Sequence, residues 1–378
     1  MKIGVLGDIM PSGVLVGENL ILSSSLKEYL GKFDVRIGTL ECAVGSTSNV
    51  NVGKYKDNKE VCVWVQPESL IRLRDLNVNI VSLANNHIGD LGKEGLIKSM
   101  ELLDELSIKY CGAGLNEQEA SKPVVLEYDG KKFAFIAVCQ KNKAFLGSVQ
   151  YADNNNWGVF GYDDKVVSYI KTLKKEYDHV FVIAHWGVEF KWLPDEVVCE
   201  YAKAMIDAGA DGIIGGHPHQ IQPLLTYKER PIYYSLGNFL FPEMYIDDYC
   251  NVFYPSKKEG DKLPRFERFP IGRNFSMKYY WTSMGRKSMI ADISINDGRV
   301  RATYSLTKLN KFHLSLNRSD FLLRGKIVVC GILYQNLNKK LIKKLNRSVS
   351  ILKFLYFYKI KALFNSKYRF YKYVKKIN

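Results

Sequence analysis

No CxxC pair occurs anywhere in the 378 residues, and the seven cysteines, Cys42, Cys62, Cys111, Cys139, Cys199, Cys250 and Cys330, are odd in number and scattered. That argues against a disulfide framework and against a thiolate metal site, so we read them as reduced, mostly core thiols. Long hydrophobic runs are also missing: no eighteen consecutive apolar residues occur, and Met1 to Leu6 lead directly into Gly7-Asp8. A spanning helix and a secretory signal are therefore not expected. The expected location is the cytoplasm, or the inner face of the membrane if the C-terminus binds it. Histidine is scarce, six in all, and no Asp or Glu follows Asp320.

What is present suits a globular protein, with 47% hydrophobic and 25% charged residues, enough for one large core or two modest ones. The net charge of +15 is localised. Residues 321–378 hold 15 Lys and Arg and no acid, leaving 39 basic and 39 acidic residues before them. The body is neutral, and the excess describes what the C-terminus prefers to touch.

Short β-branched runs alternate with amphipathic stretches. Lys2–Leu6, Val35–Leu40, Asn79–Leu83, Phe133–Val138, Val180–Ala184, Gly212–Ile214 and Ile232–Leu236 read as buried strands. Glu18–Leu30, Pro67–Leu76, Leu91–Leu106, Asp163–Tyr177 and Pro194–Ala208 read as helices. The pattern predicts an α/β fold with crossover helices. Turn signals at Asp129-Gly130 and Asn296-Asp297-Gly298 predict two hairpins, hence a mixed sheet system. Residues 242–280, with four prolines and little periodicity, read as an insertion loop, an ordered lid or partner surface.

Four of the six histidines fall in three segments, Asn85-Asn86-His87, His185-Trp186-Gly187 and His217-Pro218-His219. Each follows a predicted strand, as do Asp8 and Glu41, and strand C-terminal ends are where ligands converge in open α/β sheets. Buried imidazoles and carboxylates need partners to offset their desolvation, and a divalent metal supplies one. The mixture of carboxylate, amide oxygen and imidazole suits zinc, manganese or iron better than magnesium or calcium. Taken singly, each residue has a plain structural alternative. Asp8 could cap a turn, Glu41 could be an ion-pair residue, His87 could cap the following helix, His185 could be a hydrogen-bonded core residue, and Gly215 to His219 could be a turn. His179 and His313 lie outside the pattern and read as structural.

The motifs Gly7-Asp8-Ile9-Met10, Thr39-Leu40-Glu41, Ala84-Asn85-Asn86-His87 with Asp90 and Gly92, His185-Trp186-Gly187 with Glu189, Gly216-His217-Pro218-His219 and Tyr234-Ser235-Leu236-Gly237-Asn238-Phe239 occur in that order. Together they resemble the CapA family, the poly-gamma-glutamate and capsule-synthesis group of the calcineurin-like metallophosphoesterase superfamily, over roughly residues 1–307. The resemblance implies a four-layer α/β/β/α sandwich with a basic C-terminal extension, and a centre of one or two divalent ions. It implies Asp8 as first ligand, Glu41 in the bridging position, Asn86, His185 and His217 on one metal and His219 on the other. His87 resembles the superfamily's general acid, with Asp90 orienting it. Two departures stand out: Met10 occupies the place of a usual ligand His, and Glu41 that of a bridging Asp, so one metal subsite is depleted.

The implied domain is 1–310. The implied chemistry is hydrolysis or transfer, in which a metal activates water and His87 protonates the leaving group. Asn85, Trp186, Glu189 and Asn238 are the expected substrate-binding residues, with Trp186 alternatively in the core. Lys141 and Lys143 follow a strand and would suit an anionic polymer or phosphoester, or form a solvated basic loop. The expected role is in making, trimming or exporting a capsular polymer. A generic phosphoesterase and a non-catalytic polymer-binding assembly subunit are the alternatives. Partners would be capsule-synthesis membrane proteins. The tail, 321–378, interleaves its cations with 11 aromatics, which suits helices on an anionic membrane surface; binding of RNA or an acidic polymer and a poorly ordered basic extension are the alternatives, and no specific nucleic acid is expected.

Overall fold

The structure is a computed structural model and describes residues 1–15, 18–45, 62–141, 149–246, 252–253, 277–279 and 281–336. Lys143, most of 242–280 and everything after Asn336 lie outside the described residues. The fold is mixed α/β. Twelve strands position the site: β1 Lys2–Ile9, β2 Val35–Leu40, β3 Ile80–Ser82, β4 Lys109–Cys111, β5 Lys131–Gln140, β6 His179–His185, β7 Gly212–Gly216, β8 Arg230–Tyr233, β9 Asn238–Leu240, β10 Lys287–Asn296, β11 Arg299–Asn310 and β12 His313–Leu316.

One sheet runs in the order Ile21–Leu22, β12, β11, β10, β1, β2, β3, β4, with β9 also pairing β1. A second runs Gly161–Tyr162, β5, β6, β7, β8, Leu224–Tyr227, with Val124–Tyr128 added on β5. In the first, β1 to β4 pair in parallel and β10 to β12 continue antiparallel. In the second, β5 to β8 are parallel. Both parallel sets therefore end on loops that carry the expected site residues.

Period-2 alternation divides the second sheet's side chains between two cores. Phe133, Phe135, Ala137, Cys139, Phe181 and Ile183 enter the larger core with Ile3, Val5 and Ile37 of the first sheet. Ala134, Ile136, Val138, Val180, Val182 and Ala184 enter the smaller one with Val166, Ile170, Leu173, Val198, Ala202 and Met205. The last six belong to the helices Asp164–Glu176 and Glu196–Asp207. Asp163 and Asp195 cap these helices, accepting from the Lys165 and Val198 amides at 3.0 Å each. Burying two such faces supplies the apolar driving force that neither sheet has alone.

Three sequence readings shift. The predicted helix Glu18–Leu30 is helical only over Ser24–Leu30, because Ser23 caps it by accepting from the Leu26 amide, while Ile21–Leu22 joins the sheet beside β12. β12 lies beyond residue 310 yet pairs with β11, so the sheet extends through Leu316. The 242–280 segment includes strands: Met244–Ile246 pairs with Met277–Tyr279, and Val252–Phe253 with Cys62–Val65. Both predicted hairpins are present, Asp129-Gly130 leading into β5 and Asn296 to Gly298 joining β10 to β11. Cys42, Cys111, Cys139 and Cys199 are buried and form no disulfide among the described residues.

Candidate metal centre

Asp8 is the penultimate residue of β1, where the pairing with β2 and β9 shifts register, and it is fully buried. Its amide donates to Gly237 O at 3.0 Å, and its Oδ2 accepts from the His217 amide at 3.1 Å. Its Oδ1 has no hydrogen-bond partner. Glu41 follows β2 and is anchored by its own amide, which donates to Ile9 O at 2.9 Å. Neither Glu41 carboxylate oxygen receives a hydrogen bond, although His185 Nε2 stands 3.2 Å and His219 Nε2 3.7 Å from Oε1.

The second sheet supplies the imidazoles. His185 is the last residue of β6 and continues the odd-numbered series that points at the first sheet. Its Nε2 is 2.7 Å from Asn86 Oδ1, and its Nδ1 has no partner. His217 and His219 follow β7 with φ of 91° and 52°. Such left-handed conformations cost a non-glycine residue about 1–3 kcal/mol each, and they re-aim both rings. Gly216 precedes them because a methyl there would collide with Asp8 Oδ1, and a methyl at Gly215 would strike Tyr234 O.

Glu41, His185 and His217 form one group whose ligand atoms lie within 4.8 Å of one another, and Asp8, Glu41 and His219 form another. Glu41 is common to both. All five side chains are buried.

The electrostatics are compatible with a bound cation. Burial pushes Asp8 up to about 7, with the His217 amide and the contact with Glu41 pulling the other way. Burial, then the charges of Asp8, Glu189 and Asp90, push Glu41 far above the usual carboxylate range. Burial holds His219 down to about 4, and it holds His185 and His217 well below the usual imidazole range, reinforced by the neighbouring histidines. Imidazoles are thus neutral, as ligation requires, and the carboxylates lack the positive charge that would stabilise their ionised forms. A divalent ion would satisfy the orphaned buried oxygens on Asp8 and Glu41 together, with His185 Nε2 beside them.

The remaining expected residues divide by what they touch. His87 Nδ1 is 2.7 Å from Asp90 Oδ2, which also accepts from the Val63 amide at 2.7 Å. Asn85 is 1% exposed, its Oδ1 accepting from the amides of His87 and Ile88 at 2.9 Å and its Nδ2 donating to Leu40 O at 2.8 Å. It ties the His87 loop to the end of β2, each bond contributing about 0.5–1.5 kcal/mol. Asn238 is similarly buried, with Oδ1 2.8 Å from His219 Nδ1 and Nδ2 donating to Gly285 O at 2.9 Å. Trp186 lies in the smaller core and donates to Tyr234 O at 2.9 Å. Glu189 is half-buried on the loop after β6. Met10 is fully buried in the larger core. Lys141 pairs with Asp163 at 2.8 Å.

Two features escaped sequence reading. Gln140 ends β5, and its Oε1 accepts from the Gly187 amide at 2.7 Å, bracing the loop after His185; the strand-end rule that found Asp8 applies equally to it. Phe190, Phe241 and Trp281 surround His219, with ring centroids 6.1, 5.3 and 5.1 Å away. They come from separate segments, and nothing in their local sequence links them.

Relatives carry these observations further. The chain is 34% identical over 223 residues to the "PGA biosynthesis protein CapA" of Bacillus subtilis (strain 168), covering 57% of each. It is 32% identical over 219 residues to the "Capsule biosynthesis protein CapA" of Bacillus anthracis, covering 57% of this chain and 52% of that one. A "Probable polyglutamine synthesis accessory protein" of Mycobacterium tuberculosis is 25% identical over 208 residues, 53% of each chain. The match thus spans little more than half the length of these relatives. The family model described as "Bacterial capsule synthesis protein PGA_cap" matches residues 2–243, a span that holds every side chain of the centre, and the chain belongs to that family.

Proposed function

We propose that the chain is a metal-dependent hydrolase acting in the synthesis, trimming or export of a bacterial capsular polymer, polyglutamate or polysaccharide. The observation that carries this reading is Glu41: buried, without a hydrogen-bond donor on either oxygen, and common to two ligand groups. In this reading Asp8, Glu41 and His219 hold one ion, and Glu41, His185 and His217 with the Asn86 amide oxygen hold another, manganese, zinc or iron. When bound, the metal supplies a water of lowered pKa and polarises an acyl or phosphoryl oxygen. The chain's own residues do the rest. Asp90 keeps a proton on His87 Nδ1 and fixes the ring's orientation, leaving Nε2 to exchange a proton with the leaving group. Asn85 holds the loop that presents this ring, and Asn238 holds His219. The aromatic wall of Phe190, Phe241 and Trp281 lowers water access to that side.

The same reading takes the two facing sheets and their flanking helices as the family's four-layer α/β/β/α sandwich, with residues 1–310 as the working domain and β12 added to its first sheet between β11 and Ile21–Leu22. Residues that could line a substrate path are Glu189 and those of the loop after β6. The partners in this reading are an anionic polymer or phosphoester and the membrane proteins that assemble the capsule.

A second reading has one observation in its favour. Met10, buried where a ligand would stand, leaves the Asp8 side of the centre with fewer donors, as a non-catalytic polymer-binding subunit would tolerate. The experiment that separates the two is elemental analysis of protein purified without chelator, together with a His217→Ala and His219→Ala double variant. One to two equivalents of metal in the wild type, lost in the variant, support the hydrolase. No metal after reconstitution sinks it in favour of the scaffold.

A further inference from the structure

Among the described residues the last helix, Phe321–Asn336, is apolar on its outer face as well as on its inner one. Its inner face packs Leu323 and Ile327 at 3% and 6% exposure, and it places Lys326 Nζ, whose pKa burial lowers to about 6, against the Trp192 ring. Its exposed residues over the first three turns are Phe321, Leu322, Gly325, Val328, Val329 and Ile332. The apolar ones are 78%, 52%, 55%, 44% and 55% exposed. Not one of these outward positions is charged or polar, whereas both basic residues of the stretch, Arg324 and Lys326, lean inward, Arg324 over the Tyr304 ring at 5.7 Å. A helix on a water-facing surface normally shows the opposite distribution.

The adjoining C-terminal sequence constrains the occupant of this face. Residues 321–378 carry 15 cations, no acid and 11 aromatics. A second copy of the chain would bring an equally cationic segment to a symmetric contact and be repelled. A hydrated polyanion would answer the cations, yet it offers nothing to five exposed apolar side chains. An anionic lipid surface answers both: acyl chains take the apolar face, phosphates the Lys and Arg, and the headgroup region the aromatic rings. We propose that the outward face of helix Phe321–Asn336 docks on an anionic bilayer.

Docking has an orientation. Trp192, beneath the helix, lies two residues from Phe190, whose ring is tilted against His219 with centroids 6.1 Å apart. The inner face of the helix therefore rests on the loop that borders the metal centre, and a docked chain works beside the membrane.

The test is sedimentation of the full chain with vesicles of phosphatidylcholine and phosphatidylglycerol, and with phosphatidylcholine alone, for the wild type and for Leu322→Asp/Val329→Asp. Preferential binding to the anionic vesicles, weakened about tenfold or more in the variant at unchanged melting temperature, is the expected result. Should the Asp pair fail to fold, Leu322→Gln/Val329→Gln takes its place. Equal partition of variant and wild type would leave the charge alone responsible and overturn the proposal, as would a wild type that ignores anionic lipid. A wild-type dimer that the variant splits would give the face to a second copy. Binding of single-stranded RNA or polyglutamate that the variant weakens as lipid binding should be weakened would give it to a polymer. Either outcome overturns the lipid assignment.

Discussion

His87 Nδ1 and Asp90 Oδ2 stand 2.7 Å apart at the mouth of the cluster, the imidazole 12% exposed and the carboxylate fully buried. A buried carboxylate on one ring nitrogen fixes the tautomer and leaves the other nitrogen for a substrate. His87→Ala is expected to lower hydrolysis of a chromogenic phosphodiester about 10²–10⁴-fold, the range for losing a general acid, with metal content unchanged. Asp90→Asn should lower it less and displace the pH profile, because the amide still accepts from the Val63 amide but no longer stabilises a charged ring. Turnover untouched in both variants, with metal bound, would favour the non-catalytic subunit.

Glu41 sets a second expectation, read by melting rather than by activity. A ligand that binds only the folded state adds about 2.7 kcal/mol at a hundredfold excess over its Kd. Manganese or zinc should therefore raise the wild-type melting temperature by several degrees, and chelator should reverse it. Glu41→Gln removes the carboxylate common to both groups, so the metal-dependent rise should vanish while the metal-free variant melts no lower than the metal-free wild type, having lost only an unpartnered buried acid. An equal metal-induced shift in the variant would place the ion elsewhere.

The elements that bring these groups together were legible to an uneven degree. Asp8, Glu41, Asn86, His185, His217 and His219 lie at or just beyond C-terminal ends of parallel strands, where strand-end position and scarce histidines single them out in the sequence, while their roles as ligands rest on the family resemblance. What the rule misses is how neighbouring side chains are engaged. Asn85 and Asn238 share the same motifs, and their side chains meet loop amides, backbone carbonyls and an imidazole. Only three-dimensional register shows that. Trp186 is likewise core, because its neighbour Gly215 makes room for its indole near Tyr234. The strand Ile21–Leu22 was hidden because its apolar pair fits a helical stripe as well as an edge strand, and Ser23 decides between them.

Away from the centre, Asp211 carries the clearest pH dependence. It is 1% exposed, with Lys174 Nζ at 2.6 Å, the Val180 amide at 2.9 Å and Arg230 at 3.3 Å. Burial alone would raise its pKa, but His179, Lys174 and the Val180 amide outweigh it and hold the carboxyl below its usual range. A folded-state value below the unfolded one stabilises the protein above the unfolded value, about 3.9, and this contribution is lost as pH falls through the folded value. Asp211→Asn should therefore cost about 2 kcal/mol in urea denaturation at pH 7, less than the roughly 3–5 kcal/mol for breaking a fully buried pair because both cations are partly exposed. The gap from wild type should narrow at pH 3. A gap independent of pH would mean that packing, not charge, makes the contribution.

Asn238 offers the sharpest separation of positioning from ligation. Its Oδ1 stands 2.8 Å from His219 Nδ1, and its own amide nitrogen is anchored on Gly285 O, so the proton shared with the imidazole fixes which nitrogen faces Glu41. Removing such a partner from a metal-ligating histidine typically weakens affinity about 10–100-fold without abolishing the site. Asn238→Ala is expected to fall in that range in a competitive metal titration, whereas His219→Ala should lose an equivalent of metal outright. Because Asn238 also pairs through its backbone with Asp8, a melting scan in chelator is needed beside the titration. A metal-free variant that melts with the wild type but binds metal more weakly assigns Asn238 to the orientation of His219. Unchanged affinity would show that Phe241 and Trp281 hold the ring by packing alone.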